Sequence, residues 1–178
     1  MEKSFKPLGQ YIHENHDYNG SVEEFLEETA PLIGYIVHSF NTLDSQLNSS
    51  ICELINSRTD SVGSTIIYKM TFSNKVDLLY RLVRSMELAL EKSLPSFQKL
   101  VEDLKRCATL RNAVVHAEWE NLDSAGYTYV KMNLDKNGMQ QHYWQFTPDS
   151  LVEINDFIYN TYVSFEKYED EKQDAMFG

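Results

Sequence analysis

Ile36-Val37-His38-Ser39-Phe40-Asn41-Thr42-Leu43-Asp44-Ser45-Gln46-Leu47-Asn48-Ser49-Ser50-Ile51-Cys52-Glu53-Leu54 is the stretch that decides the fold. Ile36, Phe40, Leu43, Leu47, Ile51 and Leu54 recur at steps of four and three. That spacing lays an apolar stripe along one helix face. It predicts a helix from about Leu32 to Asn56, packed nearly antiparallel against others. His38, Asp44 and Glu53 fall off the stripe and read as a solvated face, with Asp44 and Glu53 available to a buried arginine.

Downstream, residues 57–70 mix Ser, Thr, Asp and Gly before Ile66-Ile67-Tyr68, which reads as a loop with a short extended or helical piece. Ser73 opens a second long helix whose inner face is Val76, Leu79, Leu82 or Val83, Met86 and Leu90. Pro95 suits the first turn of a third, where its missing N–H does no harm. Leu100, Leu104 and Cys107 mark the inner face of that helix, which is expected to reach about Trp119. Beyond Gly126 the period changes to two. Tyr127 and Tyr129, the turn signal Asp135-Lys136-Asn137-Gly138, and His142, Trp144 and Phe146 predict a β-hairpin. Thr147-Pro148-Asp149 then starts a last helix, with Leu151, Ile154, Phe157 or Ile158, Tyr162 and Phe165 facing inward.

Upstream, residues 1–20 read as an extended lead-in. His13 and His16 in that segment lack a third ligand nearby, so His-x-x-His is not taken as a metal site. Ser21 and Glu24 form a capping box for a short acidic helix that Pro31 interrupts. From Glu166 onward charge dominates, and an acidic, flexible tail is expected over 166–178. The fold class is therefore mainly α: an antiparallel four- to five-helix bundle, one domain over 1–178, with a β-hairpin inserted before the last long helix.

Composition narrows the function. With 178 residues, 12% aromatics, seven Gly and four Pro, the chain can bury a core and is not a loop-dense β-sandwich. No apolar run approaches the ~20 residues that span a bilayer, and Met1–Lys6 lacks a signal-like apolar region. No membrane association and a cytoplasmic location are expected, with Cys52 and Cys107 as reduced, half-buried thiols. The net charge of -11 is uneven. Residues 1–68 carry 3 basic and 10 acidic side chains, 69–111 carry 9 and 5, and 112–178 carry 4 and 12. Long-range steering onto bulk nucleic acid is disfavoured, but a local basic groove for a few phosphates is not.

The basic segment leads into Leu110-Arg111-Asn112-Ala113-Val114-Val115-His116-Ala117-Glu118-Trp119. The stripe Leu100, Leu104, Cys107 continues to Arg111 and Val114, so a guanidinium stands where an apolar residue is expected. A charge on that face calls for a partner, an interface or an anionic ligand. Asn112 and His116 are four apart, about 40° around the helix, and share a face. Arg grips phosphate oxygens bidentately, and an imidazole moves protons near neutrality. Together they suit RNA cleavage by attack of a ribose 2′-OH on the neighbouring phosphate. One Arg and one His make a thin site, whereas a two-fold dimer would supply two of each. The structural alternatives are an ion pair of Arg111 with Asp44 or Glu53, and His116 as a cation at a helix C-terminus. Tyr127, Tyr129 and Trp144 can stack bases, although aromatics at strand spacing more often cover a core.

Arg111, Asn112 and His116, late in a long helix of a helical bundle, resemble the Arg-polar-x3-His motif of the HEPN (higher eukaryotes and prokaryotes nucleotide-binding) superfamily. The likeness covers most of residues 30–168 as architecture. It implies a metal-independent endoribonuclease, without cofactor, acting on RNA as a homodimer. It further implies a toxin–antitoxin or antiviral abortive-infection setting, with an antitoxin or defence protein as partner. The catalytic residues would be Arg111, His116 and Asn112. The alternative is a catalytically silent HEPN-like module for interaction or nucleotide binding, and a third option is an antitoxin or immunity protein whose acidic surface covers a basic partner. One HEPN subgroup carries His-x-Tyr, with a Tyr that is AMPylated. Glu118 holds that position here, and its charge would repel phosphate unless paired with Arg106 or Lys105.

Overall fold

The computed structural model describes residues 1–9, 14–15, 18–136 and 138–177, the last without its side chain. His13, His16 and Asn137, singled out in the sequence, lie outside the described residues. The chain is mostly helical, and its elements run β1 (Lys3–Pro7), α1 (Val22–Ile55), α2 (Asp60–Ile67), α3 (Phe72–Leu90), α4 (Phe97–His116), β2 (Glu118–Leu122), β3 (Tyr127–Asp135), β4 (Gly138–Gln145) and α5 (Pro148–Phe177). Two compact units result. One comprises Met1–Val37 with Leu110–Asn155, the other His38–Thr109 with Asp156–Gly178.

The first unit holds an antiparallel sheet in the order β1-β4-β3-β2. The expected hairpin is its centre, with Asp135 opposite Gly138 across the turn. Gly138 takes a φ of 96°, which a side chain would strain. The lead-in supplies an edge strand, Lys3 pairing with Trp144 and Pro7 with Gln140. Tyr129, Val130, Tyr143, Trp144 and Phe146 are buried, so Tyr129 and Trp144 belong to the core rather than to a base-stacking platform. Lys3 sits 4.0 Å over the Trp144 ring.

The second unit is all helix. Phe40, Leu43, Leu47 and Ile51 of the opening stripe are buried, as are Val76, Leu79 and Val83 of α3 and Leu100, Leu104 and Cys107 of α4. On α5 the buried positions Ile158, Thr161, Phe165, Tyr168 and Lys172 follow steps of three and four. Phe97 meets Tyr168 at 5.1 Å between ring centroids.

Three boundaries differ from the sequence reading, and one open alternative is decided. Pro31 lies inside α1 rather than between two helices. It is exposed, so the carbonyl that loses its N–H partner can turn to water while the apolar face continues past it. Within 57–70 the short piece is helical rather than extended: α2 forms behind Thr59, whose side chain accepts the Ser61 N–H. The third helix stops at His116 instead of Trp119, because Glu118-Trp119-Glu120 alternates and pairs with β3 as strand β2. The expected frayed tail is helical through Phe177, with Tyr168 and Lys172 buried. The charged run is amphipathic, with Tyr168 packed against aromatic rings and Lys172 held by ion pairs to Glu53 and Glu169.

Candidate functional site

Arg111, Asn112 and His116 all belong to the last part of α4 and to the first unit. A helix end leaves its last carbonyls without intrahelical partners. Here the Trp119 indole N–H donates to the Val114 carbonyl oxygen at 3.0 Å. The same indole packs 4.9 Å from the Phe146 ring and 6.2 Å from Phe25. Trp119 thus ties the helix end to the sheet, with Ala113 and Val114 buried beneath.

Arg111 is half-buried, between the buried stripe positions Cys107 and Val114. Its Nη1 donates to Asn112 Oδ1 at 3.0 Å. The adjacent amide therefore orients the guanidinium, whose Nε is enclosed while Asn112 is exposed. Asn112 and His116 are exposed, and His116 is the last residue of the helix. A cation there is favoured by the helix dipole whatever else it does. The arrangement can present a planar cation, an amide and an imidazole from one exposed helix end.

The acids proposed as partners for Arg111 are engaged elsewhere. Both carboxylate oxygens of Asp44 accept from Lys75 Nζ at 2.9 Å. Glu53 accepts from Lys172 Nζ at 2.8 Å. The pairing of Glu118 with Arg106 or Lys105 is likewise corrected. Glu118 Oε2 accepts from Asn121 Nδ2 at 3.2 Å, Lys105 bonds Asp77 at 2.9 Å, and Arg106 lies 4.5 Å over the Phe157 ring.

Two residues beyond His116 begins a groove of about 500 Å³ lined by Glu14, Glu118, Glu120, Asn121, Leu26 and Trp119. Asn121 Oδ1 also accepts the backbone N–H of Asn15 at 2.9 Å, which holds the lead-in against this wall. Three carboxylates give the groove an acidic lining. Among the described residues, no group of three or more His, Cys, Asp or Glu is arranged to hold a metal ion. Also among them, no helix is long and apolar enough to cross a membrane.

Sequence reasoning missed a fully buried cation, Lys172. It lies one step beyond Tyr168 on the α5 stripe and also donates to Glu169, which accepts from Ser50. The signal was available: it is the same break in an apolar stripe that drew attention to Arg111. Compared with models of known protein families, with curated proteins and with solved structures, the chain matches none of them.

Proposed function

We propose that the chain is a metal-independent endoribonuclease of HEPN type, with its helices serving as an antiparallel bundle and two copies pairing through the Arg111–His116 ends of α4. The observation that carries this reading is the joint presentation of Arg111, Asn112 and His116 on one helix end, with Asn112 bonded to the guanidinium and both Asn112 and His116 exposed.

In the proposed reaction one His116 takes the proton of a ribose 2′-OH. The 2′-oxygen attacks the adjacent phosphorus and the bond to the 5′-oxygen breaks. The second His116, protonated, gives its proton to that leaving oxygen. The product carries a 2′,3′-cyclic phosphate. Arg111 stabilises the charge that builds on the phosphoryl oxygens, and Asn112 holds the guanidinium in place. The second copy supplies what a single Arg and His lack.

Arg111→Ala and His116→Ala test the proposal. His116 is exposed and its variant should remain folded, whereas Arg111 is half-buried, so circular dichroism checks the fold of its variant; both should lose RNA cleavage, or host growth arrest, by about 100-fold or more. Wild-type protein that neither cleaves RNA nor arrests growth would favour the second reading, a silent HEPN-like interaction module. The acidic groove beside the site is the observation on that side, since it suits a basic partner segment better than a nucleic acid.

A further inference from the structure

We infer that the outer edge of β1 pairs with β1 of a second copy, antiparallel about a two-fold axis at Ser4, so that two sheets join into one. This contact is separate from the α4 pairing proposed above and does not rest on it. Among the described residues the sheet ends at β1. Two bonds show which of its backbone groups are already used. The Gln145 N–H donates to the Glu2 carbonyl oxygen at 3.0 Å, and the Leu8 N–H donates to the Met139 carbonyl oxygen at 2.9 Å. The register between them is unbroken, from Lys3 opposite Trp144 to Pro7 opposite Gln140, so the even-numbered residues bond β4. The N–H and C=O groups of Lys3 and Phe5, and the C=O of Pro7, therefore point away from the sheet. Lys3 and Pro7 are exposed, and Phe5 keeps 56% of its surface in solvent.

The order of residues points to a second copy as the occupant. Glu2-Lys3-Ser4-Phe5-Lys6, laid antiparallel on itself about Ser4, sets Glu2 opposite Lys6, Lys3 opposite Phe5 and Ser4 opposite Ser4. Residues opposite each other share a face, and opposite charges there attract. Lys3 and Phe5 exchange backbone bonds across the axis, because both point outward. The Lys3 ammonium, 4.0 Å over its own Trp144 ring, gains the Phe5 ring of the second copy on the same face. On the other face Glu2 of the second copy joins Lys6, which lies 3.6 Å from Asp123. Other registers are poorer. Centring on Lys3 or Lys6 opposes like charges, and centring on Pro7 opposes two residues that lack an N–H. Centring on Phe5 places Pro7 opposite Lys3, which leaves the Lys3 C=O without a donor. Lysine and proline commonly guard an edge strand. In the Ser4 register each lysine has a partner, and Pro7 falls at the last rung. The contact is isologous, and its short length places it among the weaker interfaces.

Sedimentation velocity of the full chain, from about 10 μM to about 1 mM, should show a concentration-dependent step that doubles the mass, and Arg111→Ala should leave that step in place. Lys6→Glu sets two carboxylates opposite each other and should weaken the step by about 10-fold or more. Combining it with Glu2→Lys should restore the step, with circular dichroism as the check on folding. Ser4→Cys should form an intermolecular disulfide on mild oxidation, since opposite Cα atoms in a pair without backbone bonds lie about 4.5 Å apart. Pro7→Cys, whose counterpart lies at the far end of the ladder, should not, and the native Cys52 and Cys107 are buried. Exchange of the Lys3 and Phe5 amide protons should slow as protein concentration rises. The inference is overturned if no mass-doubling step occurs by about 1 mM, if Lys6→Glu associates as wild type does, or if Ser4→Cys and Pro7→Cys crosslink equally. Protection of both amides at every concentration also overturns it, because a segment of the same chain then covers the edge.

Discussion

Lys172→Met keeps the aliphatic stem of a fully buried side chain and removes its charge. The lysine side chain is 0% exposed, Glu53 43% and Glu169 15%. Removing one member of a buried ion pair costs about 3–5 kcal/mol, because the other charge is left without compensation. Glu53 is exposed enough to recover water, so its share of that cost is small. Glu169 recovers little water and keeps only the Ser50 hydroxyl as donor. The expected loss is therefore about 2–3 kcal/mol, or roughly 4–12 °C in midpoint for a chain of this size. Urea and thermal unfolding followed by circular dichroism measure it. Adding Glu169→Gln removes the stranded charge and retains an acceptor for Ser50, so the double variant should regain about half of the loss. A Lys172→Met protein as stable as wild type, or a double variant no better than the single, would refute the reasoning. In either case the last turns of α5 would not be held by this network.

Three further outcomes rest on particular residues. Burial pushes the Cys107 thiol up to about 11, the Thr161 hydroxyl only partly offsetting it, and burial raises the Tyr168 phenol in the same direction. The unfolded thiol ionises first, so stability should be flat below about pH 9 and fall as the pH rises towards 11. Cys107→Ala should flatten part of that fall, which urea midpoints at pH 8 and 10.5 would measure. Gly63→Ala should destabilise the helical unit by about 1–3 kcal/mol, because the new methyl meets backbone at Cys52 and cannot be relieved by trimming the cysteine side chain. Trp119→Phe should cost about 1 kcal/mol, since it keeps the ring packing and loses only the bond to the Val114 carbonyl. A smaller loss, of a few tenths, would mean that water replaces the indole N–H.

The helices were legible wherever a stripe of apolar residues had uninterrupted period. Ile36 to Ile51, Val76 to Val83 and Leu100 to Cys107 are buried as their spacing requires. The hairpin was legible from alternation and its turn. Strand β2 was not, because Trp119 also fits the end of the preceding helix, and only pairing with β3 decides between the two. Strand β1 was not, because an edge strand draws its order from the partner it finds, here β4, rather than from its own pattern. The placement of the candidate residues was legible as a spacing: Arg111, Asn112 and His116 fall on one helix end. The partners of Asp44 and Glu53 were not, since Lys75 and Lys172 lie 31 and 119 residues away, and only the fold brings them together.

The most direct test of the central claim is the chemistry of the RNA ends. Purified protein incubated with single-stranded RNA in excess chelator should yield fragments ending in 2′,3′-cyclic phosphate, at a rate second order in protein below the dimer dissociation constant, and His116→Ala should yield none. Intact RNA after incubation with wild type, or identical fragments from His116→Ala, would contradict it.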